Sequence, residues 1–240
     1  MGFRLDRLGM GFFDRRADRA AERTMEGQKE HAERIEGGQA GRDQGDDEQD
    51  RVDHVMVMVF AGGHISGGHY NPAVTLGVLI RGKVKPGDVV PYWIAQFLAA
   101  AVAALLTVKV LRAGVPITAI LPKTGPALLA EFLFTFALVY VVLNTATAEG
   151  TSGNSFYGLA IGMTVMTGAF AVGDISGGAF NPAVALGITL LGISSWHNIW
   201  IYLVANFGAA VVAAVIFQLI NPPLQTTPVA TDEPPYETPR

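Results

Sequence analysis

Two asparagines followed by proline and alanine, Asn71-Pro72-Ala73 and Asn181-Pro182-Ala183, stand 110 positions apart and are the residues whose type and spacing can act on a solute. Proline is favoured at the first helical position and asparagine is a preferred N-cap. Each triplet therefore starts a short helix with unsatisfied amide donors and a positive dipole end at the asparagine. The apolar pieces that follow, 73–80 and 183–190, give about 12 Å of helix each, under half of a bilayer core of about 30 Å. Two such half-helices entering from opposite faces meet near the midplane. A cation or proton arriving there meets positive potential in low dielectric, whereas a neutral molecule can accept a hydrogen bond from the asparagine amides and pass. The approaches Gly67-Gly68-His69 and Ser176-Gly177-Gly178-Ala179 read as extended backbone with carbonyls facing a water-filled lumen, since irregular backbone at membrane depth is tolerated only beside such a cavity. Acceptor rows leading to central donors suit a single-file path for water or a small polyol.

The triplets belong to a longer repeat that must position them. Sliding the chain by 110 positions lays 55–77 on 165–187 with 15 identities in 23, and 95–105 on 205–215 with 7 in 11. One register thus covers a half-span, a glycine-rich loop, a short helix and a full span. Four apolar windows, 91–110, 126–143, 156–172 and 199–220, match or approach the roughly 20 residues a span needs. They are bounded by breakers at 85–88, 114–125, 150–154, 192–195 and 221–223. The pieces 55–62 and 73–80 are too short to cross alone. Three crossings between the copies invert the second copy, so the repeats face each other across the membrane. Gly158-x-x-x-Gly162 and the small-residue stretches 99–104 and 208–214 read as close helix packing.

Charge is distributed very unevenly. Of 38 charged residues among 240, 24 lie in residues 1–54 and only ten in residues 55–228. So few charges cannot solvate an ordinary globular surface, which excludes a soluble single domain for most of the chain and points to an all-α membrane protein. No cysteine is present, so disulfides, thiolate metal sites and thiol nucleophiles are excluded. Net charge resides mainly in the N-terminal arm, and nothing supports nucleic-acid binding. His64 and His69 are five apart without nearby carboxylates; they read as structural loop residues, and no metal or cofactor is expected. No nucleophile–base pair, phosphate loop or carboxylate dyad occurs, so a conduit is the reading rather than an enzyme. Glu131, an acid within a span, is a functional candidate by default, and the favoured alternative is that it accepts from backbone donors of the adjacent glycine-rich loop and holds it in place. Asp174 stands opposite His64 in the repeat and either pins the second loop or faces outer solvent. An ion-coupled transporter, which also uses broken helices, is the alternative.

The stretch His64-Ile65-Ser66-Gly67-Gly68-His69-Tyr70-Asn71-Pro72-Ala73-Val74-Thr75 resembles the first signature loop of the aquaporin family, also called major intrinsic proteins. Asn181-Pro182-Ala183 resembles the second, Glu131 in Ala130-Glu131-Phe132 the carboxylate of the fourth span, and Gln96 the amide of the third. The resemblance covers about residues 55–222. It implies a six-span bundle of inverted repeats with two Asn-Pro-Ala half-helices and one pore per subunit. It further implies a homotetramer in the plasma membrane, with water or a small uncharged solute as passenger. The family's arginine after the second triplet is replaced by Val184, and the other filter positions of that half fall on Ala169 and Gly178. By analogy the constriction is wider and less polar than in a strict water channel.

Moving 126–146 back by 110 gives 16–36, which carries 11 charges in 21 residues. Inserting it would cost on the order of 25 kcal/mol, so the first span and half of the second read as absent or replaced. The expected division is a charged arm over 1–54, a channel domain over 55–222 with halves at 55–110 and 126–220, and a disordered Pro/Thr-rich tail over 223–240. The arm is a soluble extension, a partner-binding extension, or translation of a wrong frame. The last is favoured because the repeat stops between His54 and Val55, inside a span. A chain lacking those segments can also be a non-conducting remnant, and no secretory h-region is visible.

Overall fold

A computed structural model of the chain describes residues 54–221 and the single residue Glu26; the expectations for the arm before 54 and the tail after 221 lie outside the described residues. The described residues form helices and connecting loops without a strand. In chain order the helices are α1 (His54–Ser66), α2 (Pro72–Ile80), α3 (Pro86–Leu106), α4 (Thr124–Val142), α5 (Tyr157–Ser176), α6 (Pro182–Leu190) and α7 (Ile199–Ile220). Wider π-helical turns extend α3 to Leu111 and α4 to Thr147. Four helical stretches, of 26, 24, 20 and 25 residues, are long and apolar enough to cross a bilayer.

Local chemistry sets the helix starts. Asn71 and Asn181 are in extended backbone, and each side-chain oxygen accepts the N–H two residues ahead, at 2.9 Å, with proline at the first helical position. Pro86, expected to break the chain before the first full span, instead starts α3. A proline at the first position has no intrahelical donor to lose, so the span begins five residues earlier than the window at 91. Pro91 then falls in the second turn, where its missing N–H leaves a carbonyl only at the exposed helix end. The α5 helix runs four residues past its window and ends at Ser176, so Ser176 belongs to the helix rather than to the loop.

Small residues decide the packing. The α7 residues Ala205, Ala209, Ala210, Ala213 and Ala214 are buried, on the helix that packs against both α4 and α2. The two halves interlock, because α2 packs against α7 and α6 against α3. Gly77 and Gly187 occupy equivalent places there. A β-carbon on Gly77 would lie 3.9 Å from the Ala210 carbonyl oxygen, and one on Gly187 3.8 Å from that of Ala100. Gly158 and Gly162 let α1 approach α5 closely, since β-carbons there would lie within 2.8 Å of Phe60 and 2.6 Å of Met56. On α3 the stripe Ile94, Leu98, Val102 and Leu105 is exposed, an apolar face that suits lipid as its solvent.

Candidate functional site

The second half shows how the loop between a full helix and a half-helix is held. Past Ser176 the backbone turns through left-handed residues at Gly177 (φ 86°), Gly178 (φ 57°) and Phe180 (φ 45°) before reaching Asn181. Glu131, fully buried on α4, gathers the donors of this turn. One of its oxygens accepts Ser176 Oγ at 2.8 Å and the Ala179 N–H at 2.9 Å; the other accepts the Phe180 N–H at 2.7 Å. Asn206 on α7 completes the set. In the amide orientation that satisfies both of its ends, the nitrogen donates to Glu131 (3.2 Å) and Thr135 Oγ1 (2.9 Å), and the oxygen accepts the Asn181 N–H (2.9 Å). The Tyr202 hydroxyl donates to the Ser176 carbonyl at 2.7 Å.

The first half repeats the turn with different support. Gly67 (φ 84°), Gly68 (φ 59°) and Tyr70 (φ 46°) are left-handed in the same register. Tyr92, which the repeat pairs with Tyr202, donates its hydroxyl to the Ser66 carbonyl at 2.9 Å and accepts the His69 N–H at 3.3 Å. Thr75 is the centre of a second cluster. Its hydroxyl donates to the Asn71 carbonyl (3.1 Å), accepts from Gln96 Nε2 (3.1 Å) and lies 3.2 Å from His69 Nδ1. Trp93 Nε1 donates to the Pro72 carbonyl at 3.2 Å.

The two turns are tied to each other. Asn71 Nδ2 donates to the Phe180 carbonyl and Asn181 Nδ2 donates to the Tyr70 carbonyl, both at 2.9 Å. Each asparagine thus bonds the residue just before the other asparagine. An amide NH2 carries two hydrogens, so each side chain keeps one N–H after this bond. Left-handed backbone at an aromatic residue costs on the order of 1 kcal/mol and persists only where its surroundings over-determine it. Here the strained residues are the ones whose carbonyls the asparagines capture, and Phe180 is also held through its N–H by Glu131. Among the described residues no hydrogen bond uses the carbonyls of Gly67, Gly68, His69, Gly177, Gly178 or Ala179. Three free acceptors therefore precede each crossed pair.

A family profile described as Major intrinsic protein matches residues 53–217. The chain belongs to the major intrinsic protein family. Among its relatives, Aquaporin NIP1-4 of Oryza sativa subsp. japonica is 38% identical over 171 residues, which is 70% of this chain and 62% of the relative. Putative aquaporin NIP4-1 of Arabidopsis thaliana is 35% identical over 171 residues, 70% of this chain and 59% of the relative. Probable aquaporin TIP1-2 of Oryza sativa subsp. japonica is 37% identical over 172 residues, 69% and 67%. The chain thus spans about three fifths to two thirds of the length of these relatives. As a member of the family with four span-length apolar helices, it is a multi-pass membrane protein.

Within this major intrinsic protein, the residues singled out by sequence fall into distinct places. Asn71, Asn181 and the Pro72, Ala73, Pro182 and Ala183 starts converge at the crossed bonds, and Glu131 and Gln96 are each one bond from a turn or half-helix. The approaches are not extended, because consecutive left-handed residues are needed to reverse the chain between α1 and α2 and between α5 and α6. Ser176 does not offer a free carbonyl, since Tyr202 takes it. His64 is exposed and makes no hydrogen bond to either loop among the described residues; Ser66 and Tyr92 do that work, with Ser66 Oγ accepting the Gly68 N–H at 3.3 Å. Asp174 is exposed. Of the positions expected to form the outer filter, Val184 is 42% exposed, but Ala169 is only 3% exposed, its Cα lying 3.6 Å from where a Gly178 β-carbon would stand, so Ala169 does not face open space. Tyr92, Tyr202, Thr75 and Asn206 were not singled out by sequence. The 110-residue register, which pairs Tyr92 with Tyr202 and Gln96 with Asn206, is the signal that finds three of them.

Proposed function

We propose that this chain forms a passive conduit for water and small uncharged solutes rather than an enzyme. The observation that carries the reading is the reciprocal bonding of Asn71 and Asn181 to the Phe180 and Tyr70 carbonyls. It brings two helix N-termini to one place and leaves each asparagine one N–H to offer a passing solute. The free carbonyls of 67–69 and 177–179 can replace part of a solute's hydration on either side. Two positive dipole ends facing one point disfavour a cation or proton there, so charge is excluded at the asparagine pair. With Ala169 buried, Gly178 and Val184 are left at the outer constriction and supply no charged side chain, so that it admits a polyol such as glycerol as well as water. The resemblance extends the proposal to a homotetramer in the plasma membrane.

Stopped-flow volume changes of proteoliposomes carrying this chain test the proposal. Osmotic water or glycerol flux above that of empty vesicles, independent of ion gradients, is the expected result. Flux that needs a proton or sodium gradient, or no flux at all, overturns it.

A further inference from the structure

The 110-residue register makes each half a template for the other, and on one helix face the halves differ. On α7, Ala205, Ala209 and Ala213 are buried, none more than 1% exposed. Asn206 and Gly208, which flank Ala205 and Ala209 around the helix, both meet α4. Asn206 bonds Thr135, and a β-carbon on Gly208 would stand 3.8 Å from the Phe132 ring. The stripe is therefore covered by α4. Its counterparts on α3, Ala95, Ala99 and Ala103, are identical in type, and all three are exposed. The lipid-facing side does not differ in this way, since Ile94 and Val102 on α3 and their counterparts Val204 and Val212 on α7 are all exposed.

The polar groups beside the exposed stripe are incomplete as well. In the second half, Glu131 of α4 accepts the Ala179 and Phe180 N–H groups, and Asn206 accepts that of Asn181. In the first half the His69 N–H has only the 3.3 Å bond to Tyr92. The Tyr70 and Asn71 N–H groups make no hydrogen bond among the described residues, and Gln96 Oε1 is buried without a partner. We propose that the Ala95, Ala99 and Ala103 face of α3 is the docking seat for a membrane-spanning helix of another polypeptide. Its occupant is apolar, about 20 residues long, and carries one carboxylate at the depth of the first glycine-rich turn. Small side chains let the two backbones approach closely, and the carboxylate accepts the His69 and Tyr70 N–H groups as Glu131 accepts those of Ala179 and Phe180. No described residue supplies this helix, and the window 16–36, which the register would place there, carries 11 charges in 21 residues.

A synthetic peptide with the sequence of residues 123–147, which brings its own copy of Glu131, is the probe. It is titrated onto the full chain in detergent, and amide hydrogen exchange is followed by mass spectrometry. Saturable protection at residues 69–71 is expected. A Glu131→Gln peptide should need on the order of tenfold more to reach half-saturation. Ala99→Phe in the chain fills the seat and should abolish the effect. Val90→Phe, half a turn away around α3 and 60% exposed, should leave it intact, with thermal unfolding of both variants like the parent's. No protection by the parent peptide overturns the proposal, as do equal titrations with the Glu131→Gln peptide or an undiminished effect in Ala99→Phe. Protection already present without peptide would give the seat to the chain's own residues before 54. A concentration-dependent dimer lost in Ala99→Phe would give it to a second copy, and either result also overturns the proposal.

Discussion

Replacing Glu131 with glutamine keeps the volume of the side chain but turns one of its two acceptor oxygens into a donor. The retained oxygen can still face Ser176 Oγ and the Ala179 N–H. The new NH2 then faces the Phe180 N–H, which loses a 2.7 Å bond inside a fully buried site. Asn206 can turn its own oxygen toward the new NH2, but the Asn181 N–H then loses its acceptor. A hydrogen bond to a charged acceptor contributes about 1.5–3 kcal/mol, and a stranded buried N–H costs a similar amount, so the local loss is roughly 3 kcal/mol. That is about 100-fold in the opening equilibrium of the turn. Hydrogen exchange followed by mass spectrometry on the purified chain in detergent reads it directly. Protection at Ala179 and Phe180 is expected to fall by about 100-fold in Glu131→Gln, while the amides late in α2 keep theirs. Solute flux should fall with it, because the Phe180 carbonyl orients Asn71. Unchanged protection at residues 179 and 180 would refute the claim that Glu131 holds the turn.

Other perturbations follow from the same geometry. Asn181→Asp sets an acceptor against the Tyr70 carbonyl and should destabilise the detergent-solubilised chain by about 2 kcal/mol, with loss of water flux in proteoliposomes; wild-type flux would contradict the crossed-bond argument. Tyr202→Phe strands the buried Ser176 carbonyl and should cost about 1–3 kcal/mol. The partly exposed Tyr92→Phe should cost less, and thermal unfolding of the pair checks the order. In Gly77→Ala the new methyl meets Val139 Cγ1 at 2.5 Å, an overpacking cost of about 1–3 kcal/mol. Adding Val139→Ala should recover part of that loss, and a strictly additive double mutant would show that the clash lies elsewhere.

Much of this fold is legible in the sequence because its signals are local. Asn-Pro at 71–72 and 181–182 sets a cap and a first turn with no help from the rest of the chain. Windows of apolar residues mark spans because bilayer thickness sets their length. The ends were less legible: Pro86 starts α3 and Ser176 ends α5, each a few residues from the expected boundary, since a terminal turn depends on which neighbour satisfies its last groups.

Residue types, the 110-residue register and the two capped half-helices were determined by the sequence itself, through backbone preference and hydrophobic length. Partners were decided only by the tertiary structure. No spacing rule pairs Asn71 with the carbonyl of Phe180, gives Ser66 rather than His64 its bond to Tyr92, or sets Ile120 against Gly177. The two hydrogen bonds among these join groups 109 and 26 residues apart. Such a bond exists only once helix packing has brought its partners within about 3 Å at a workable angle, and that condition belongs to the packed bundle rather than to any segment of it.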